Sequence, residues 1–223
     1  MDSGTPTLRR LTVADQTYEA LREWLIVGRL VPGSRISERA LTEELAVGRT
    51  PLRTALARLE SDGLLHRNRT GKLEIVALTA KQLGDLYTCR LVLDVLVARL
   101  SAEATIRDHV QALQDAVDDA TRAYVRADLE TTLAANRRFH ALLYASAHNE
   151  WPARLLRPQQ VHFERLRVKL VEQATHGPRF IAEHQDIVDA IRSRDPVQAE
   201  RAVRAHIASI IARVLVNSDS AAG

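Results

Sequence analysis

The spacing of apolar residues along the chain changes near residue 77. Residues 10–76 contain three short segments in which apolar residues recur every three or four positions, followed by two short segments typical of strands. Residues 79–217 contain six longer segments with the same three-to-four spacing. Because this spacing places apolar side chains on one face of an α-helix, the pattern predicts a mainly α-helical protein of two domains, 10–76 and 79–217.

Residues 10–76 contain three helix starts and one hairpin signal. Thr12 and Ser37 are good helix caps, and Thr50 is a third candidate cap. Pro51 then suits the first helical position. The predicted elements are, in order, a helix over 12–28, a helix after Ser37, a helix from Thr50 to Gly63, and strands over 64–66 and 72–76. With "NRTG" as the hairpin turn, this is the element order of a winged helix-turn-helix.

The third predicted helix has an apolar face and an opposite face rich in arginine and threonine. The apolar stripe contains Leu52, Ala55, Leu56 and Leu59, and the opposite face carries Thr50, Arg53 and Thr54, with Arg49 at its edge. In a helix-turn-helix the start of this helix enters the major groove, where arginine donates two hydrogen bonds to guanine and threonine contacts phosphate or a thymine methyl. The alternative is a solvated helix face with incidental charge.

Basic residues are concentrated in this part of the chain. From Arg49 to Lys72 there are six Lys and Arg residues against two acidic ones, whereas the whole chain has a net charge of only +3. Arg67, Arg69 and Lys72 flank Gly71 at the tip of the predicted hairpin. A basic hairpin beside a recognition helix contacts backbone phosphate or the minor groove, so Arg69 joins the candidate DNA-binding residues.

The second part of the chain predicts an antiparallel helical bundle. The expected helices are 79–105, 107–126, 128–147, 150–173, 178–193 and 196–217. Thr79 and Gln82 form a capping box at the first of them, and Pro158 is expected to kink or split the fourth. Six helices joined by short links are typical of a bundle.

Three of these predicted helices each carry one histidine on the apolar face: His140, His184 and His206. Asn136 lies one turn before His140 on the same face. Buried neutral imidazoles that converge leave ring nitrogens unsatisfied unless a cation accepts them, and Zn²⁺ or Ni²⁺ suits nitrogen donors. The alternative is a set of separately satisfied core histidines. The other five, His66, His109, His148, His162 and His176, show no such pattern and are expected at the surface or in local contacts.

Composition narrows the class of protein. The single cysteine, Cys89, excludes an intrachain disulfide and a cysteine-cluster metal site, as is usual in a reducing compartment. No signal-peptide core and no 18-residue apolar run is present. We therefore expect a cytoplasmic protein with no membrane partner.

The stretch "LREWLIVGRLVPGSRISERALTEELAVGRTPLRTALARLESDGLL" resembles the DNA-binding domain of the GntR family. The resemblance covers roughly residues 10–76 and centres on the Thr-Pro-aliphatic-Arg core. It implies DNA contacts by Arg35, Arg49, Thr50 and Arg53, with Gly71 at the wing. One departure is Gly48, where the family usually has serine, a residue that caps the helix or binds phosphate.

Residues 79–215 resemble the FCD-type effector domain of the FadR-like branch of this family. The segments that carry the resemblance are "DLYTCRLVLD", "NRRFHALLYASA" and "EHQDIVDAIRSRDPVQAERAVRAHI". The resemblance implies a divalent metal held by Asn136, His140, His184 and His206, with Asn136 as a neutral, weaker ligand. It also implies that Arg90 receives a ligand carboxylate; the alternative is a buried ion pair with Asp94 one turn away.

These patterns lead to one functional hypothesis and two alternatives. The hypothesis is a homodimeric repressor that reads a palindromic operator and is released by a small carboxylate bound near the metal and Arg90. A metal-sensing regulator is the first alternative. A metal-dependent hydrolase is the second, although Asp94 is the only inward-facing acid beside the predicted histidine cluster.

Overall fold

The computed structural model describes residues 11–104, 106–172 and 177–219, with side chains described for most of them. The chain divides into two compact units between Ala77 and Leu78. Within the described ranges no helix is both long and apolar enough to cross a membrane.

The first unit is a three-helix winged helix-turn-helix. Its elements are α1 (Val13–Ile26), α2 (Glu38–Leu45), α3 (Arg49–Ser61), β1 (Leu65–Arg67) and β2 (Leu73–Ile75). The two strands pair antiparallel, with Leu65 opposite Ile75. Thr12 forms a capping box at α1 and the Ser37 hydroxyl caps α2, as predicted.

The core of the first unit fixes which face of α3 is exposed. Helix α3 packs on α1 and α2 through the predicted stripe, and Leu52, Leu56 and Leu59 are fully buried. Each buried leucine side chain contributes about 1.5–3 kcal/mol relative to an exposed one. Burial of this stripe leaves the arginine and threonine face of α3 exposed.

Helix α3 begins earlier than its sequence predicts. Gly48, with extended backbone and no side-chain capping bond, is the N-cap, so the prediction that Thr50 caps the helix was wrong. Ala46 ends α2 in the left-handed conformation (φ 51°), which leaves only Val47 between the two caps. Pro51 occupies the third helical position, which is tolerated because the first-turn amides have no partner inside the helix.

A side-chain turn closes the wing. The Asn68 side-chain oxygen accepts hydrogen bonds from the backbone N–H groups of Thr70 (2.9 Å) and Lys72 (3.0 Å). Gly71 has φ +75°, a conformation that favours glycine. The predicted "NRTG" turn is therefore present and rigidly bonded.

The second unit is the predicted helical bundle. Its helices are α4 (Ala80–Ala104), α5 (Arg107–Val125), α6 (Leu129–Ser146), α7 (Trp151–Leu156), α8 (Gln160–Glu172), α9 (Gly177–Arg192) and α10 (Pro196–Asp219). A 3₁₀ turn over Arg157–Gln159 contains Pro158 and separates α7 from α8, so the predicted helix 150–173 is split. Helix α4 packs mainly on α10, and α5 packs on α6 and α9.

Candidate functional site

The exposed face of α3 carries the four residues predicted to contact DNA. Arg49, Thr50, Arg53 and Thr54 are all exposed. The Arg53 Nε donates to Glu38 of α2 at 2.9 Å, so its guanidinium is oriented by the preceding helix. Because only Nε is engaged in that contact, the two terminal nitrogens stay available for a partner.

Arg35 lies beside the wing rather than on α3. Its Nε donates to Glu74 at 3.2 Å, and Glu74 also accepts from the Asn68 amide at 2.7 Å. The bond from Asn68 is the main reason that the pKa of Glu74 is lowered. Arg69 is exposed near Gly71, at the wing tip.

Arg58 makes contacts within the first unit and does not belong to the exposed polar face of α3. It pairs with Asp15 at 3.2 Å, and its guanidinium carbon lies 3.8 Å from the centre of the Tyr18 ring. Asp62, one turn after Arg58, accepts a hydrogen bond from the Tyr18 hydroxyl instead. In the wing, Arg67 pairs with Glu60 at 3.1 Å.

In the second unit, three histidines from three helices meet in the core. His140 of α6, His184 of α9 and His206 of α10 each offer a ring nitrogen, and these atoms all lie within 4.8 Å of one another. The ring centres of His184 and His206 are 4.9 Å apart, and those of His140 and His184 are 5.0 Å apart. Asn136, one turn before His140, is also buried.

The three imidazoles are neutral at ordinary pH. Burial lowers the pKa of His140 and of His184 well below the usual value, and nearby arginines lower it further. Burial also lowers the pKa of His206, although Glu183 opposes this shift. Each ring therefore keeps one nitrogen lone pair.

Glu183 determines which nitrogen of His206 is bare. The Nδ1 of His206 lies 2.9 Å from a carboxylate oxygen of Glu183, which can only accept, so Nδ1 carries the hydrogen and Nε2 does not. The buried atoms His206 Nε2, His184 Nε2 and Asn136 Oδ1 have no hydrogen-bond partner among the described residues. Two imidazole nitrogens and one amide oxygen left in this state fit the donor set of a borderline divalent cation.

Two cavities adjoin the cluster. The smaller, about 30 Å³, is lined by Asn136, His140 and His206 among others and has room for a water molecule or an ion. The larger, about 250 Å³, is lined by His140 and by two buried arginines, Arg90 and Arg167.

Arg90 forms the buried ion pair with Asp94 and also keeps a donor that a ligand could use, the two alternatives that the sequence left open. Its Nε donates to Asp94 at 2.9 Å, so the buried ion pair exists. Its Nη2 lies 3.3 Å from His140 Nδ1, and its Nη1 has no partner among the described residues. The residue is therefore anchored by Asp94, keeps one donor without a partner, and lines the larger cavity with its side chain.

Sequence reasoning missed Arg167 and misplaced one histidine. Arg167 follows Phe163 by four positions and precedes Leu170 by three, the same periodicity that marked Arg90. His162, expected at the surface or in local contacts, is instead buried at 7% exposure, and burial lowers its pKa to about 4. His176 lies outside the described residues.

The fold and these sites define a DNA-binding winged helix joined to a helical domain with a buried polar centre. Residues 13–72 match the family described as bacterial regulatory proteins, gntR family, and residues 85–209, more than half of the chain, match the FCD domain. The protein belongs to the GntR family of transcriptional regulators with an FCD domain. The family and its homologues indicate a DNA-binding regulator rather than an enzyme.

Known relatives agree with this assignment. The uncharacterized HTH-type transcriptional regulator YdhC of Bacillus subtilis is 28% identical over 86% of this chain and 86% of its own length. The gluconate operon transcriptional repressor of Bacillus licheniformis is 26% identical over 78% and 74%. The solved structure of McbR/YncC from Escherichia coli shares the fold, with a TM-score of 0.81 and 20% identity over 93% of this chain and 99% of its own.

Proposed function

We propose that the protein is a metabolite-responsive repressor, released from its operator when a small carboxylate binds in the FCD domain. The observation that carries the proposal is the group of unpartnered buried atoms on His184, His206 and Asn136 beside a cavity lined by arginine. Buried polar atoms without protein partners are rare, and a bound ion or an ordered water can supply the partner. The names of relatives also support a repressor; one of them is the gluconate operon transcriptional repressor.

In this proposal the first unit, residues 10–76, reads DNA. Arg49, Thr50, Arg53 and Thr54 contact base edges and phosphates in the major groove, because they form the exposed start of α3. The wing and its base, through Arg35, Arg69 and Gly71, contact phosphate or the minor groove. A homodimer would place two such units on a palindromic operator.

The second unit, residues 79–217, would hold a divalent ion, Zn²⁺ or Ni²⁺, through Asn136, His140, His184 and His206. A bound ion supplies positive charge and Lewis acidity that attract an anionic ligand. Glu183 keeps the His206 ring oriented. Because Asn136 is neutral, the four ligands carry one negative charge less than the same set with aspartate, and they attract the cation less strongly.

Arg90 would receive the ligand carboxylate on its free Nη1 while Asp94 holds the guanidinium in place. For the ligand to release DNA, it must favour one arrangement of the cytoplasmic dimer by about 1–3 kcal/mol. The hydrolase alternative is weaker, because the described carboxylates beside the cluster are already engaged: Asp94 by Arg90 and the Tyr144 hydroxyl, and Glu183 by His206 and Arg179.

The test is operator binding by the full chain after metal removal, after reloading with Zn²⁺ or Ni²⁺, and with added organic acids. We expect an acid to weaken operator binding of the loaded protein, and metal alone to leave it unchanged. His140→Ala should lose stoichiometric metal by elemental analysis, whereas the control His66→Ala, an exposed residue of the hairpin, should keep it. Release by metal alone would show a metal sensor, and normal metal content in His140→Ala would place the metal elsewhere.

A further inference from the structure

The outward face of α4 has exposed apolar residues at the middle of the helix. Val92, the central residue of α4, is 68% exposed, and Leu96, one turn later, is 39% exposed. Cys89, three residues before Val92, is also exposed. Exposed positions of a bundle helix are usually polar, and neighbouring apolar side chains left in water suit a surface that a partner covers.

Charged residues extend this face towards both ends of the helix. Lys81 and Asp85 lie before the apolar centre, Arg99 and Glu103 lie after it, and all four side chains are exposed. At about 100° per residue, the four charged residues point within about 20° of the direction of Val92. These five residues, with Thr88 and Leu96 between them, form a narrow outer stripe that can lie along a second helix.

The opposite face of α4 lies in the core of the second unit. Arg90 and Asp94 point about 160° away from Val92 and are buried as an ion pair. Val97 and Ala98 are fully buried in the main hydrophobic cluster. The outer stripe is therefore the part of α4 that is open to another molecule.

The order of charges along the outer stripe is self-complementary. Asp85 lies seven residues before Val92, and Arg99 lies seven residues after it. Lys81 and Glu103 lie eleven residues before and after the same centre. If two copies of α4 cross antiparallel at Val92, each acidic residue of one copy meets a basic residue of the other. A parallel pair would instead place like charges opposite each other, which is unfavourable.

The charges at each end of the stripe are already balanced within one chain. An ion pair of 2.7 Å joins the two charged residues before Val92, and one of 2.9 Å joins the two after it. Arg99 also lies 3.6 Å from Glu200 of α10, which is 4.0 Å from Arg204. In the antiparallel pair these exposed groups would determine orientation more than affinity, and the apolar centre would supply most of the binding energy.

We propose that α4 forms the homodimer interface, packed antiparallel on α4 of a second copy of this chain with Val92 at the two-fold axis. This inference rests on the homodimer of the proposed function and adds the surface, the direction and the register. A two-fold contact brings each pair of residues together twice, so it requires a self-complementary surface such as the outer stripe. Helix α4 would then carry Arg90 on one side and the partner on the other.

The experiment measures self-association of the full chain by sedimentation equilibrium. Val92→Arg brings two positive charges together at the axis and should raise the dissociation constant of the dimer by about 100-fold or more. Val125→Arg changes an exposed valine at the end of α5 and is the matched control, which should leave the dissociation constant unchanged. Because both valines are exposed and arginine is a good helix former, both variants should fold, which circular dichroism checks.

Charge reversal tests the antiparallel register. Asp85→Arg and Arg99→Asp each place like charges across the interface twice per dimer, so each should raise the dissociation constant by about 10-fold or more. The double variant carrying both changes restores opposite charges only in an antiparallel pair, and its dissociation constant should return towards the wild-type value. Repulsion within each helix, from Lys81 or Glu103, remains in the double variant, so a recovery reports the contact between copies.

Chemical cross-linking gives a measurement that does not depend on weakening the dimer. In a Cys89→Ser background, Val92→Cys should join two chains when treated with a short bismaleimide, because the two introduced thiols meet at the axis. Val125→Cys in the same background should remain a single chain. This arm carries the test if Val92→Arg does not fold.

Each contrary outcome identifies what is wrong. If the wild type is a monomer throughout the concentration range, the proposed homodimer is rejected and the interface with it. If the wild type dimerises and a folded Val92→Arg dimerises equally well, or Val92→Cys does not cross-link, the α4 interface is rejected while the homodimer stands. If the double charge reversal remains as weak as the single ones, the antiparallel register is rejected.

Discussion

The burial of a side chain was predicted best where the periodicity of its own helix determines it. Helical periodicity alone placed His140, His184, His206 and Arg90 on buried faces, and all four are buried. Partners on other elements could not be predicted, because the sequence does not state which helices meet. The Glu38 partner of Arg53 is of this second kind.

Arg53→Ala should weaken operator binding by about 1–3 kcal/mol and relax base preference at one position in each half-site. The reason is that Glu38 holds the guanidinium by Nε and leaves its terminal nitrogens free. Binding to a set of single-base operator variants measures this. Arg58→Ala, on the same helix but stacked on Tyr18, is the control and should keep the base preference. An unchanged preference in Arg53→Ala would exclude it from base recognition.

His162 should make the protein sensitive to acid. Its folded pKa of about 4 lies below the ordinary 6.5, so the unfolded chain takes up a proton first as pH falls. The free energy of unfolding should therefore drop by about 1–2 kcal/mol between pH 7 and pH 5 on account of this residue. Urea denaturation of the wild type and His162→Gln at both pH values measures the difference.

At the scale of elements, the order and approximate bounds of the helices and strands were predictable. Caps, glycines and apolar spacing are local signals, and they placed both strands and the split at Pro158 correctly. The start of α3 was missed because it depends on the length of the turn after Ala46, which a cap preference does not specify.

Gly48→Ser should stabilise the start of α3. The N-cap has extended backbone, and an added Cβ would lie 3.7 Å from Pro51 Cδ, an ordinary contact, so a serine hydroxyl fits and can accept from the first turn. We expect a gain of about 0.3 kcal/mol in the free energy of unfolding. Denaturation followed by the fluorescence of Trp24, in a Trp151→Phe background, measures it. Gly63→Ser, at φ +73°, should instead destabilise the unit, and a loss of stability in Gly48→Ser would contradict the capping interpretation.

At the scale of the whole molecule, the proposed homodimer leads to a prediction about the spacing of the operator half-sites. If a homodimer reads two half-sites, an insertion of about five base pairs between them, half a helical turn, places the second half-site on the opposite face of the DNA. Affinity should then fall to that of a single half-site. Gel-shift titration measures this, with sedimentation to determine the stoichiometry. Equal affinity for both operators would indicate that each chain binds DNA independently.

The ion pairs on the DNA-binding unit have a consequence for the thermodynamics of binding. Of the six basic residues from Arg49 to Lys72, Arg53, Arg58 and Arg67 already have carboxylate partners. When such an arginine contacts a DNA phosphate, it leaves or shares its protein carboxylate, and that carboxylate then recruits cations from solution. The number of counterions released per half-site should therefore be closer to about three than to six. A plot of log affinity against log salt concentration will then understate how many arginines touch the operator.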